Sequence, residues 1–188
     1  MVSTNTALDP NVLPSKPPTT PKLVPVFSFN FKCEFSPPGS STDLPVPSNS
    51  LSLARIINGE IRTVKNDYGL ELDVPGITGI DDLIEKVPLG ITQLNCTLNG
   101  KTANGSDVLI YYDGFLKHAQ ATFEVIQGTK KHIEFDDCSL VCKPIFKLSK
   151  GVEDKYKWIL TEDFIGKGRF IRDADDFVYV QYFVYIIR

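Results

Sequence analysis

Apolar and polar positions alternate without a break from Leu23 to Phe35. Leu23, Pro25, Phe27, Phe29, Phe31, Cys33 and Phe35 fall on one side, and Val24, Val26, Ser28, Asn30, Lys32 and Glu34 on the other. A period of two held over thirteen residues predicts a strand. Four phenylalanines on one side mark the face that meets the core. The far end of the chain has a different pattern. Residues 177–187 are apolar or aromatic on both sides: Phe177, Tyr179, Gln181, Phe183, Tyr185 and Ile187 share one, and Val178, Val180, Tyr182, Val184 and Ile186 the other. Such a strand needs cover on each face. A second long strand is expected from Tyr156 onward, turning at a Gly166-Lys167-Gly168-Arg169 corner and joined to the last strand by an acidic turn at Asp173, Asp175 and Asp176.

Between these ends the pattern predicts strands at 52–57 and 60–64, joined by an Asn58-Gly59 hairpin turn, and at 68–74, 90–98, 107–112, 118–126, 132–136 and 140–148. Further turn signals are Asn99-Gly100, Asn104-Gly105 and Gly128. One helix is predicted, because Ile80, Leu83, Ile84 and Val87 recur at helical spacing, Thr78 with Asp81 resembles a capping box, and Pro88 provides a stop. Strand follows strand with no βαβ alternation, which argues against a parallel sheet. The expected fold is all-β: a mostly antiparallel, lipocalin-like closed barrel of about 8–10 strands with one short helix. A strongly curled sandwich is the other arrangement this pattern allows. Closure is favoured because it removes exposed strand edges.

Ten of the thirteen prolines lie in the first fifty residues. Residues 1–22 are Pro/Ser/Thr-rich without periodicity and are expected to form a disordered arm, leaving 23–188 as a single β-barrel domain. Residues 36–50 read as a long Pro/Ser loop. The net charge of −3 and pI near 5.4 come with dispersed basic residues, so the electrostatic footprint of nucleic-acid binding is missing. No apolar run reaches the length of a membrane span, and the N-terminal stretch lacks the pattern of a secretory leader. The expected compartment is the cytoplasm. There Cys33, Cys96, Cys138 and Cys142 should be free thiols. Cys138 and Cys142, placed along one strand, would stand too far apart for a disulfide. With only His118 and His132 to add, no metal site is expected.

The segment Tyr156-x-Trp158-Ile-x-x-x-x-Phe164-Ile-Gly166-x-Gly168-Arg169, followed by Val178-x-Val180-x-x-Phe183-Val-Tyr185-Ile, resembles a family of uncharacterised bacterial and fungal proteins. The family is known as domain of unknown function 3237, or uncharacterised protein family 0311. Gly105-Ser-Asp-Val-Leu-Ile-Tyr-Tyr-Asp-Gly114 and the aromatic first strand are similar to it as well. The resemblance implies a β-barrel of lipocalin-like size and no established activity.

Catalytic signatures are sparse. Gly166-Lys-Gly-Arg169 leads into a strand rather than a helix, which disfavours a phosphate loop. The chain has no nucleophile elbow and no dinucleotide fingerprint, and no cofactor is expected. His118 on a polar strand face and His132 at a strand start permit acid–base chemistry without indicating it. The aromatic residues of the last third are more suggestive. Ligand pockets are mostly apolar with a few aimed polar groups. Tyr156, Trp158, Tyr179, Gln181 and Tyr185 are the candidate lining, with Arg169 at the mouth. The plain alternative is a filled core whose hydroxyls find backbone partners. Three functional readings follow. The first is a barrel that binds a small apolar or amphipathic molecule. The second is an isomerase or cyclase acting on a metabolic intermediate in the same cavity, with a Tyr or His as general acid. The third is a homo-oligomeric structural or interaction protein that buries its last strand.

Overall fold

A sheet with one apolar face and no helical layer to cover it can bury that face by rolling until its edges meet. The computed structural model, which describes residues 20–35, 42–43 and 49–188, adopts this solution. Eight antiparallel strands close a ring: β1 (Leu23–Phe35), β3 (Asn49–Thr63), β5 (Thr78–Lys86), β6 (Ile91–Lys101), β7 (Asp107–Lys117), β8 (Leu140–Leu148), β9 (Phe164–Arg172) and β10 (Val178–Ile187). Two short strands, β2 (Thr42–Asp43) and β4 (Val74–Pro75), pair with β3. Each long strand pairs with the next in chain order, and β1 closes the ring between β3 and β10. The result is an up-and-down barrel, the closed antiparallel fold expected from the alternating pattern. The expected arm and the 36–50 loop lie outside the described residues except for 20–22, 42–43 and 49–50. Lys22 exchanges backbone hydrogen bonds with Arg188 (2.7 and 2.9 Å), so pairing begins one residue ahead of β1.

In β1 a bulge between Pro25 and Phe27 resets the alternation. Val24 and Val26 point inward before it, and Phe27, Phe29, Phe31 and Cys33 after it, so Leu23 is left exposed rather than on the phenylalanine face. β3 is one continuous strand of 15 residues where a hairpin at Asn58-Gly59 was expected. Gly59 lies opposite Phe31, and a Cβ there would come within 2.7 Å of the Phe31 ring, so this glycine serves close approach rather than a turn. Asn99-Gly100 also falls inside a strand, whereas Asn104-Gly105 does mark the β6–β7 turn. Residues 68–74 are mostly irregular, and residues 132–136 contribute a single bridge, His132 to Ile171.

Two segments exchange the types expected for them. The predicted helix at 78–87 is strand β5, because β3 and β6 flank it and supply a full ladder of partners, overriding its helical spacing. The predicted strand at 118–126 is instead the helix α1 (Gln120–Ile126), which buries Thr122 and Val125, three residues apart. The Arg172 guanidinium donates to the carbonyls of Val125 (2.5 Å) and Ile126, satisfying acceptors at the helix end. The expected strand around Tyr156 is a 3-10 helix over Asp154–Leu160.

The barrel interior differs between its ends. Around Phe27 the rings of Phe29, Phe146, Trp158 and Phe164 lie 5.4 to 6.3 Å away, and this end is filled. The other end, beneath α1, is open inside. No helix among the described residues is long and apolar enough to cross a membrane.

Candidate binding cavity

Alternation along β5 sends Asp81, Leu83 and Glu85 into the barrel. Asp81 stands opposite Ala54 of β3 on one side and Cys96 of β6 on the other, and Cys96 in turn stands opposite Tyr112 of β7. The Tyr112 hydroxyl donates to Asp81 Oδ2 at 3.3 Å. The Tyr182 ring of β10 meets the Tyr112 ring edge-on, 5.9 Å between centroids. Gly168 makes room for that ring, since a Cβ there would lie 2.6 Å from Tyr182 and 2.7 Å from Leu140. The Gly166-Lys-Gly-Arg169 stretch is therefore no corner. It runs along the middle of β9, and its glycines face inward to seat Tyr182 and Cys142.

Above this floor a cavity of about 240 Å³ remains. Its walls are mostly apolar, Phe31, Ile56, Leu83 and Leu94 among them, and Phe123 and Ile126 of α1 cover it. Ser52, Glu85 and Thr92 add polar atoms. Glu85 Oε2 accepts from Ser50 Oγ at 3.2 Å, and Thr92 Oγ1 lies 2.9 Å from His118 Nε2. The His118 ring rests edge-on against Phe123, 5.3 Å away, so this histidine braces the cover.

Asp81 is the electrostatic centre of the site. It is only 7% exposed, and its Oδ1 has no hydrogen-bond partner. Burial raises its pKa to about 7, with the hydrogen bonds from Tyr112 and the Asn95 amide pulling the other way and nearby Asp82 pushing further up. Burial, reinforced by Asp81, also lifts the Cys33 thiol to about 12 and pushes up Cys96 and Cys142. Tyr112 and Tyr182 are raised chiefly by burial. The thiols and phenols around the cavity thus stay protonated at neutral pH, which makes these cysteines poor nucleophiles. Asp81 is the group there that changes charge near neutrality.

None of the six residues chosen from sequence lines this cavity. Tyr156 and Trp158 sit on the 3-10 helix at the filled end, where Trp158 Nε1 donates to the Glu71 carbonyl at 3.2 Å. Tyr179, Gln181 and Tyr185 lie on the outer side of β10, because its inward set is Val178, Val180, Tyr182, Val184 and Ile186. Arg169 is also outside. Its Nε donates to Gln181 Oε1 (2.9 Å), its Nη1 to Glu134 Oε2 (3.0 Å), and its guanidinium lies over the Phe135 ring. Gln181 continues this outer network by donating to Asn30 Oδ1 at 2.8 Å. The structure brings Arg169 and Gln181 together and separates them from Tyr156 and Trp158 by the barrel wall. The sequence pattern does not point to Asp81, Tyr112 or Tyr182: the Thr78–Asp81 spacing mimics a helix cap, and parity alone does not tell which side of β10 faces in.

The family described as "Protein of unknown function (DUF3237)" matches residues 21–187. No match is found among curated proteins. Among solved structures, the chain is similar to a conserved protein of unknown function from Rhodopseudomonas palustris at 16% identity and a TM-score of 0.64, covering 90% of this chain and 98% of that one. It is similar to a protein of unknown function from Clostridium acetobutylicum at 19% identity and a TM-score of 0.59, covering 90% and 99%. An enzyme from Penicillium herquei shares 15% identity with a TM-score of 0.51, covering 92% and 98%. At these identities the likeness establishes the barrel fold and nothing further.

Proposed function

The chain belongs to the DUF3237 family, and we propose that it holds one small, mostly apolar molecule in the cavity above Asp81. The observation that carries this reading is the unfilled interior. Small barrels usually pack their centres with side chains, as this one does around Phe27. Leaving about 240 Å³ open beside a buried carboxyl forfeits packing that the fold achieves elsewhere. The volume is slightly below the range of roughly 300–1,000 Å³ typical of ligand pockets. A neutral solvatochromic naphthalene dye such as prodan tests the reading. Its emission should shift blue on mixing with the protein, and an Ala54→Phe variant with an intact fold should abolish the shift. An unchanged shift in that variant would place the dye elsewhere and refute the reading.

A second reading, acid–base catalysis on the bound molecule, is favoured by Asp81. A carboxyl held near neutrality in the lining of an apolar space, with one oxygen unpartnered, suits proton transfer. An isomerase or cyclase needs such a group, and one protein of similar fold is an enzyme. The Tyr or His expected from sequence gives way here to Asp81, backed by Tyr112. The molecule that co-purifies with the protein, incubated in D₂O, should gain deuterium with the wild type and not with Asp81→Asn. Equal incorporation by both would remove this reading.

A further inference from the structure

The polar groups of the cavity are one-sided. Among the described residues two carboxyl side chains line it, Asp81 and Glu85, and no Lys, Arg or His does. Both point inward from β5, roughly 13 Å apart along the strand. Six aromatic rings share the lining: Phe31, Phe35, Tyr112, Phe123, Phe170 and Tyr182. Aromatic faces attract cations, most strongly where water is excluded. The unpartnered Asp81 Oδ1 completes the pattern, because a buried charge is stable only when paired. A carboxylate ligand would bring a further negative charge into this space with no cation among the described lining residues to meet it. We propose, on the basis of the cavity reading above, that the site selects apolar amines bound as ammonium ions, with the ammonium at the Asp81 carboxyl and the hydrocarbon body against the rings.

Groups facing Asp81 reinforce the selection and do not compete with it. They are Cys33 from β1, Cys96 from β6, Tyr112 from β7, Cys142 from β8 and Tyr182 from β10, all protonated at neutral pH, while Asp82, next along β5, points outward and acts on Asp81 only through its charge. His118 stands behind Thr92 and does not line the cavity. Because free Asp81 is part-protonated near pH 7, seating an ammonium ion displaces that proton to solvent.

Isothermal titration with three adamantane derivatives tests the inference: 1-aminoadamantane, 1-adamantanol and 1-adamantanecarboxylate. At pH 7 the amine should bind at least tenfold more tightly than the carboxylate. Its apparent enthalpy should differ between buffers of unlike ionisation heat, reporting proton release. Asp81→Asn should weaken the amine at least tenfold and the alcohol less than threefold, with Glu85→Gln weakening the amine to a smaller degree. Carboxylate binding within threefold of the amine, or an amine indifferent to both variants, would overturn the inference. If prodan still enters while the amine does not bind, only this inference falls. If neither prodan nor any of the three enters, the cavity reading falls with it.

Discussion

The two ends of the barrel are built from the same strands and handle space in opposite ways. At the closed end Phe27 packs against four other rings, and Val184 and Ile186 are fully buried beside them. At the other end the same first strand contributes Phe31 and Phe35, yet about 240 Å³ stays open and a carboxylate faces it. The elements laid over each end account for much of the difference. β8 and β9 pair over three residues only, Leu140 to Cys142, and past that point a 3-10 helix against β8 brings Trp158 to Phe27 and Phe164. Over the open end α1 lies as a cover, placed by Arg172 and braced by His118, without inserting a large ring to the depth of Asp81. Tight packing and open space are thus separated along one axis of a single core.

The sharpest way to break this comparison is to truncate one residue at each end. Phe27→Ala removes a fully buried ring from a filled region and should lower the unfolding free energy by ~3–5 kcal/mol. Leu94→Ala widens space that is already open and should lose only about 2–3 kcal/mol. Urea unfolding of the two variants measures both, and equal losses would mean the ends are packed alike.

Asp81→Asn comes next. The folded carboxyl has its pKa near 7, whereas an unfolded aspartate titrates near 3.9, so the folded chain binds more protons between those values. Stability contributed by this group is therefore highest below about pH 4, falls as pH rises to about 7 and is flat above it. Asparagine removes that slope while still accepting from Tyr112. At pH 8 the variant should be more stable than the wild type by up to ~4 kcal/mol, a gain that shrinks toward pH 4. Urea midpoints across this range decide it, and parallel curves for the two proteins would show that Asp81 titrates normally.

Insertion is the converse test. Ala54→Leu adds volume beside the cavity and should change stability by less than about 1.5 kcal/mol while excluding prodan. Val184→Leu adds one methylene to the filled end and should lose about 1–3 kcal/mol with dye uptake unchanged. If both insertions were equally tolerated, the closed end would hold unseen space.

The fold was more legible in the sequence than the site. The barrel follows from alternation in β1, β7 and β8, whose partners leave each strand one buried face. β5 shows why the site did not follow. Its inward set is Gly79, Asp81, Leu83 and Glu85, and its outward set is Thr78, Ile80, Asp82, Ile84 and Lys86, so each face carries two charged residues and the core-facing one has a single large apolar side chain. Ile80 is 48% exposed. A strand that points a carboxylate inward breaks the rule by which strands are recognised, and functional sites are where such breaks are expected. The same reasoning applies to β10. Both of its faces are apolar enough for a core, and only the glycines at 166 and 168, opposite Val184 and Tyr182 across the ladder, show that Tyr182 is on the inside. Tyr179, Gln181 and Tyr185 carry more polar atoms, but those atoms serve the outer surface.

That outer surface supplies the smallest and most discriminating prediction. Arg169 bonds Gln181 and Glu134 and covers Phe135, a partly exposed arrangement whose ion pair is worth under about 1 kcal/mol. Arg169→Ala should therefore cost about that much in urea unfolding, somewhat less at high salt. It should leave prodan uptake and amine binding unchanged, because the barrel wall stands between its guanidinium and the cavity. Tyr179→Phe and Gln181→Ala should be equally silent in binding. If Arg169→Ala instead weakened the amine as Asp81→Asn does, ligand selection would rest on the wall's outer network as well as its interior. The two ends of the barrel would then no longer be the division that matters, since the decisive boundary would run between inside and outside.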